Sequence, residues 1–421
     1  MTEPGPGGAA TSERGLAEAE RVELTVDAVA PGGHCVARVD GQVVFVRHAL
    51  PGERVIAEVT EVHKGFVRAD AVTVLDASPD RVEPPCPYAR PGACGGCDLQ
   101  HVAPDAQLAW KTAVVREQLA RLGGLGDDEL DRLAVRVEAL PGGLLGWRSR
   151  VRYAVDAADR AGLLKHRSHE VVPIDRCRIA HPAIQQLPVL TPTGASWPDA
   201  DAVETVASTG GDVTVAEVHD GVSAPVRGPA EVREVAAGRD WTLPASAFWQ
   251  VHPAAADTLS TAVLELLDPQ PGERAWDLYG GAGLFAAGLA TRVGATGRVT
   301  LVEAAPQGVA AARRNLADLG HVEVVSARVE TALARRRITG PVDVVVLDPP
   351  RSGAGAPVVR ALAAAGPRAV AYVACDPAAF ARDVRTFAEL GWRLAALRGF
   401  DLFPMTQHVE CVGLLLPATG R

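Results

Sequence analysis

From residue 21 the chain alternates apolar and polar positions with period two, as in Val22-Glu-Leu-Thr-Val-Asp-Ala-Val. The pattern returns in Gln42-Val-Val-Phe-Val, Arg54-Val-Ile-Ala-Glu-Val and Phe66-Val-Arg-Ala-Asp-Ala-Val-Thr-Val-Leu. Pro31-Gly-Gly, Asp40-Gly41 and Pro51-Gly52 punctuate these runs. Short strands at near-regular spacing predict a small OB-like β-barrel over residues 21–78. Such a barrel binds RNA on an exposed face or serves as a structural or protein-binding module. Residues 1–20, rich in Gly, Pro, Ala and Glu, read as a disordered tail.

Residues 79–100 are a Pro/Cys/Gly loop, and Gln107 to Leu122 reads as a helix ended by Gly123-Gly124. Short strands and loops fill 134–240, so 79–240 is expected to form a small mixed central domain. From about residue 255 apolar strand-like runs alternate with helical stretches. The runs begin at Arg274, Arg298, Val322, Val342 and Ala369, and a last one begins at Val409. This alternation predicts an α/β domain over 241–421, with a parallel-rich sheet and helices on both faces.

Composition narrows the class. The chain has 421 residues, 48 % hydrophobic and 22 % charged, with a formal net charge of −9. That supports a large core and excludes a simple basic nucleic-acid coat, though not a local basic site. No apolar run is long enough to span a membrane, and the N-terminus lacks the plan of a signal peptide, so a cytoplasmic protein is expected. Trp147 to Arg178 carries eight Arg and Lys residues against four acids, a candidate surface for RNA phosphates.

Asp277-Leu-Tyr-Gly-Gly-Ala-Gly follows a predicted strand and opens a helix, and Glu303 lies at the end of the next strand. Glycines let backbone N–H groups approach a ligand, and the acid can accept ribose hydroxyls. The loop also fits a dinucleotide, but Asp277 and the later Asp348-Pro-Pro-Arg favour S-adenosylmethionine (SAM), held on a Rossmann-like domain. Cys375, in Ala374-Cys-Asp-Pro, ends a strand before a helix, whose N-terminus is expected to lower the thiol pKa. Glu410 starts the last strand, where a carboxylate can act as general base. Gln250 precedes the first helix of the α/β domain, where its amide can hold a ligand. Cys86, Cys94 and Cys97 share one loop, and Cys177 is a fourth candidate. Four thiolates suit an iron–sulfur cluster or zinc, and spacing does not choose between them. Cys35 and Cys411 read as structural.

Together these motifs resemble the uracil-C5 RNA methyltransferases that carry an N-terminal TRAM domain. The resemblance covers residues 21–421 and rests on five motifs in order: Phe248-Trp-Gln-Val-His, Asp277-Leu-Tyr-Gly-Gly-Ala-Gly, Asp348-Pro-Pro-Arg, Cys375-Asp-Pro and His408-Val-Glu410. It implies that residues 21–78 are the TRAM barrel. It implies a 4Fe–4S cluster on Cys86, Cys94, Cys97 and Cys177. It implies SAM binding by Gln250, Tyr279, Glu303 and Asp348, beside the loop glycine Gly281. Cys375 would be the nucleophile and Glu410 the base. The implied substrate is a uridine in RNA, with ribosomal RNA favoured over transfer RNA and no role for DNA or membranes; a monomer is the default expectation.

Four positions depart from the family pattern. Seven residues separate Cys86 from Cys94, where five is familiar; Gly280 stands where Cys is frequent; His252 and Leu284 stand where Asn is usual. Three other readings share some of these features. A nicotinamide oxidoreductase leaves Cys375 and Glu410 unexplained, and a silent RNA-binding protein would not need Cys375. A cytosine-C5 enzyme typically carries a second Cys in the motif corresponding to Asp348-Pro-Pro-Arg, which this chain lacks.

Overall fold

The protein is described here by a computed structural model covering residues 15–190 and 196–418. Residues 1–14 of the expected tail lie outside the described residues. The chain divides into two compact units, Met1–Glu83 and Pro84–Arg421.

In the first unit, strands Arg21–Ala30, His34–Val39, Gln42–Arg47, Arg54–Val62 and Phe66–Asp76 close a barrel, with the fifth strand between the third and fourth. Closure removes exposed strand edges. Leu24, Val26, Val44, Val46, Val55, Ala57, Val67 and Ala69 fill the interior, the inward set of the period-two pattern. The strand His34–Val39 was not marked by the sequence pattern, because its apolar residues do not alternate. Residues 15–20 are not a tail. Ala19 N donates to Val59 O at 2.9 Å, and Val59 N donates to Glu20 O at 2.9 Å. These bonds continue the pairing of the first strand with the strand Arg54–Val62.

The second unit is built on an eight-stranded sheet. Its order is Val322–Ser326, Arg298–Glu303, Arg274–Leu278, Val344–Leu347, Ala369–Ala374, Glu410–Pro417, Trp392–Asp401 and Val137–Ala139. The first five strands are parallel; Glu410–Pro417 runs antiparallel to both its neighbours. All six residues of Ala369–Ala374 are buried, which is why that segment reads as a continuous apolar run. One face packs on helices Ala255–Leu267, Leu284–Val293 and Pro306–Asn315. The other packs on Pro104–Arg121, Val329–Ala334, Ala356–Ala365 and Pro377–Glu389. Chain order reverses between strands Arg274–Leu278 and Val344–Leu347, so the loops at their carboxyl ends diverge and open a crevice.

Part of the stretch expected as a central domain belongs to this α/β layer. Helix Pro104–Arg121 buries Val115 and Leu119 in its core, and Val137–Ala139 pairs with the strand ending at Asp401. The remainder forms a six-stranded antiparallel sheet, from Val222–Arg227 through Arg150–Val155 to Val171–Pro173, and a hairpin, Glu231–Ala236 with Arg239–Pro244. Among the described residues no helix is long and apolar enough to cross a membrane.

Candidate active site

The carboxyl ends of the parallel strands open into one cleft of about 810 Å3. Gln250, Tyr279, Gly281, Glu303, Asp348, Cys375 and Glu410 all line it. The structure thus brings together every cofactor and catalytic candidate of the sequence reading.

The glycine loop turns sharply after Leu278. Tyr279 has φ 65° and Gly283, at the start of helix Leu284–Val293, has φ 100°. A Cβ on Gly283 would lie 2.7 Å from Leu316 Cδ1, so both backbone and packing require glycine there. Gly281 N donates to Glu303 Oε2 at 2.9 Å, while Glu303 Oε1 accepts from Ala304 N at 2.7 Å and Ala305 N at 2.6 Å. The acid is therefore held rigidly at the end of its strand. Asp277 is buried beneath the loop. Its Oδ2 accepts from Ala286 N at 2.8 Å, its Oδ1 has no partner, and burial pushes its pKa up to about 7.

Three family departures have local explanations. A Cβ on Gly280 would stand 2.5 Å from Leu301 Cγ, so Leu301 occupies the space of a larger residue. Leu284 is buried in the core beneath the sheet and does not line the cleft. His252 Nδ1 accepts from Ala254 N at 3.1 Å, and its ring stacks on Trp147.

Cys375 and Glu410 come together through strand register. Ala374 pairs with Cys411 across antiparallel strands, and one residue further along Cys375 faces Glu410 at the cleft. The expected lowering of the Cys375 pKa is not found. Burial, then the charges of Glu410 and Asp348, push the thiol up to about 11, against the opposing charge of Arg351. Asp376 caps the following helix, its carboxylate accepting from Ala379 N at 2.7 Å, so an acid takes the helix end that was expected to favour thiolate. Glu410 is buried and held well above the usual carboxylate range, by burial and then by Asp348. Asp348 rises to about 7 through burial.

Arg351 and His408, quoted only as members of their motifs, and Arg148, placed only in the basic stretch, also line the cleft. Arg351 was visible inside its motif; only the fold aims its charge at Cys375 and Glu410. Burial, then the charges of Arg351, Lys111 and Arg148, lower His408 to about 4, so it is neutral near pH 7.

Cys86, Cys94, Cys97 and Cys177 line one pocket next to the cleft, and Gly96 and Arg148 line both. Burial raises Cys94 to about 11 and lifts Cys97 and Cys177, and each of these three thiols is raised further by the charge of another in the pocket. Four thiols on one pocket are of the donor type that zinc and iron–sulfur clusters take. Among the described residues, however, no three His, Cys, Asp or Glu side chains are grouped so as to hold a metal ion. The basic stretch is not one solvated face. Arg150 turns inward, bonding Glu234 at 2.7 Å and Ala245 O at 2.9 Å. Arg152 and Arg160 pair on the surface with Glu204 and Asp156.

Comparison with known proteins agrees with this architecture. The TRAM domain family matches residues 17–72, and the tRNA (Uracil-5-)-methyltransferase family matches residues 239–419. An RNA methyltransferase of Streptomyces avermitilis is 48 % identical, over 95 % of this chain and 99 % of that one. The 23S rRNA (uracil(1939)-C(5))-methyltransferase RlmD of Thiobacillus denitrificans is 34 % identical, over 91 % of this chain and 96 % of its own length. Among solved structures, the Pyrococcus abyssi tRNA (uracil-54, C5)-methyltransferase, in complex with S-adenosyl-L-homocysteine, aligns with a TM-score of 0.70. It covers 93 % of this chain and 99 % of that one at 23 % identity, which shows a shared fold. A SAM-type glycine loop, an N-terminal TRAM barrel and full-length relatives at this level of identity lead to one conclusion: the chain belongs to the SAM-dependent RNA (uracil-5-)-methyltransferase family.

Proposed function

We propose that the protein methylates C5 of a specific uridine in 23S rRNA through a covalent intermediate on Cys375. The observation that carries this reading is the facing of Cys375 and Glu410 across one cleft that also holds Gln250, Tyr279, Gly281, Glu303 and Asp348. C5 of uracil is a poor nucleophile. Attack of the Cys375 thiolate on C6 makes C5 enolate-like, and C5 takes the methyl group from the SAM sulfonium. Glu410 removes the C5 proton, the C6–S bond breaks, and the electron pair returns to Cys375. The target base must leave its stack to enter the cleft.

The electrostatics support a cationic methyl donor. Asp348 and Glu410 are costly to ionise in the free cleft, and a sulfonium among them favours the charged forms. Glu303, fixed by three backbone N–H groups, is set to accept ribose hydroxyls, and Gln250 to orient the base or the donor. Ribosomal RNA is preferred to transfer RNA because the RlmD relative acts on 23S rRNA and aligns over nearly the whole chain. The lack of a second Cys in Asp348-Pro-Pro-Arg favours uracil over cytosine.

The reading also assigns a 4Fe–4S cluster to Cys86, Cys94, Cys97 and Cys177. Such a group would supply the positive charge that lets these buried thiols bind as thiolates, and would tie Cys177 to the loop of the other three. Purified protein should then be brown, with about four irons per chain; stoichiometric zinc would overturn the assignment. The protein is taken to act as a monomer in the cytoplasm. The test of function is incubation with isotopically labelled SAM and unmodified RNA separated by size, followed by nucleoside mass spectrometry. Labelled 5-methyluridine in 23S rRNA is expected. Label in transfer RNA alone would replace the substrate, and labelled 5-methylcytidine would replace the base.

A further inference from the structure

The loop from Leu402 to His408 joins strand Trp392–Asp401 to Glu410 and lines the cleft with Phe403, Thr406 and His408. Its middle residue, Met405, has φ 68° and a buried side chain. A non-glycine residue persists there only where its surroundings over-determine it. Hydrogen bonds with residues 98–111 do so. Asp98 N and Leu99 N both donate to Met405 O at 3.0 Å. Met405 N donates to Gln107 Oε1 at 3.0 Å, Gln407 N to Asp98 Oδ2 at 3.1 Å, and Lys111 Nζ to Phe403 O at 3.1 Å. Asp98 directly follows Cys97 of the four-thiol pocket. The cysteine loop and the loop that delivers Glu410 are thus one hydrogen-bonded unit.

We propose that Asp98 and Gln107 are positioning residues for proton abstraction: they hold the Phe403–His408 loop in register so that Glu410 meets the C5 proton. The proposal rests on the roles given above to Cys375 and Glu410. Bond formation between Cys375 Sγ and C6, and methyl movement from sulfur to C5, precede the step that needs Glu410. Loosening the loop therefore delays removal of the C5 proton and the return of the C6–S pair to Cys375. The methylated protein–RNA adduct accumulates.

The experiment compares Asp98→Ala, Asp98→Asn and Gln107→Met with the parent protein, using labelled SAM and a substrate RNA. Turnover and the denaturant-resistant protein–RNA band are measured together. Asp98→Ala is expected to lower kcat by about 10- to 100-fold, the range for a misplaced catalytic group. KM for SAM stays within about twofold, while the labelled adduct increases. Asp98→Asn keeps an oxygen acceptor for Gln407 N and restores most of the rate. Gln107→Met leaves the Asp98 contacts in place and reproduces the adduct, which covers failure of Asp98→Ala to fold. Glu410→Gln is the control. If it accumulates adduct while Asp98→Ala and Gln107→Met lower adduct and turnover in parallel, or change neither, the positioning role is overturned. If Glu410→Gln itself forms no adduct, the catalytic reading fails instead.

Discussion

Glu410 faces Cys375 one residue beyond the antiparallel pair Ala374–Cys411, and burial, reinforced by the charges of Glu410 and Asp348, pushes the thiol up to about 11. The nucleophile of the free enzyme is therefore dormant near neutral pH. Alkylation of Cys375 by iodoacetamide, followed by peptide mass spectrometry, should show a pH profile with its midpoint near 11. Glu410→Gln removes one of the two acids that raise the thiol and should move that midpoint down, with about tenfold faster alkylation per unit moved. An unchanged midpoint would mean that Glu410 does not act on Cys375.

Donor binding should be linked to proton release. Asp348 titrates near 7 in the free cleft, so it is neutral below that pH and ionised above it. A sulfonium prefers the ionised form. SAM affinity should therefore rise from pH 6 to pH 8, more steeply than that of S-adenosylhomocysteine, which lacks the positive sulfur but shares the other titrating groups. The same shift works against the free fold. With Asp277 and Asp348 raised, the folded state binds more protons than the unfolded one between the ordinary carboxylate range and about 7, so stability falls as pH rises through that window. Calorimetric titration at several pH values checks the binding; equal slopes for the two ligands would remove the charge argument.

Gly280 and Leu301 should behave as a coupled pair. Restoring the family's frequent Cys, as Gly280→Cys, brings its Cβ to 2.5 Å from Leu301 Cγ and should cost about 1–3 kcal/mol through overpacking. Leu301→Ala makes room, so the double variant should be more stable than the sum of the single changes. Strict additivity in denaturant unfolding would contradict the packing account.

Lys111 and Asp401 form a buried ion pair at 2.5 Å, joining helix Pro104–Arg121 to the strand that precedes the Glu410 loop. Lys111→Met strands a buried carboxylate and should destabilise the protein by about 3–5 kcal/mol. Adding Asp401→Leu should recover much of that loss. If the double variant is as unstable as the single one, the pair is not the source of the effect.

Much of the architecture was legible because local pattern and buried face coincide. The barrel strands alternate, and Ala369–Ala374 is apolar throughout because helices cover both faces. Cys375, Glu410 and Glu303 were readable as candidates because each sits at a strand end where such sheets bind ligands. What stayed hidden depends on distant neighbours. Gln107 and Met405 are 298 residues apart, and no local signal marks either. Val137–Ala139 is too short to show a period. Arg150 looks like any charge in a basic run until Glu234 and two carbonyls surround it. The Cys375 pKa was read with the wrong sign because the sequence shows the helix that follows, and not the burial of the thiol or the two acids brought to it from distant positions.

The most direct test of the central claim uses RNA labelled with tritium at C5 of uridine. Methylation through Cys375 and Glu410 requires each C5 hydrogen to be lost as the methyl group arrives. The account predicts SAM-dependent tritium release equal to methyl incorporation, abolished by Cys375→Ala. Tritium release and methylation that persist in Cys375→Ala would contradict it.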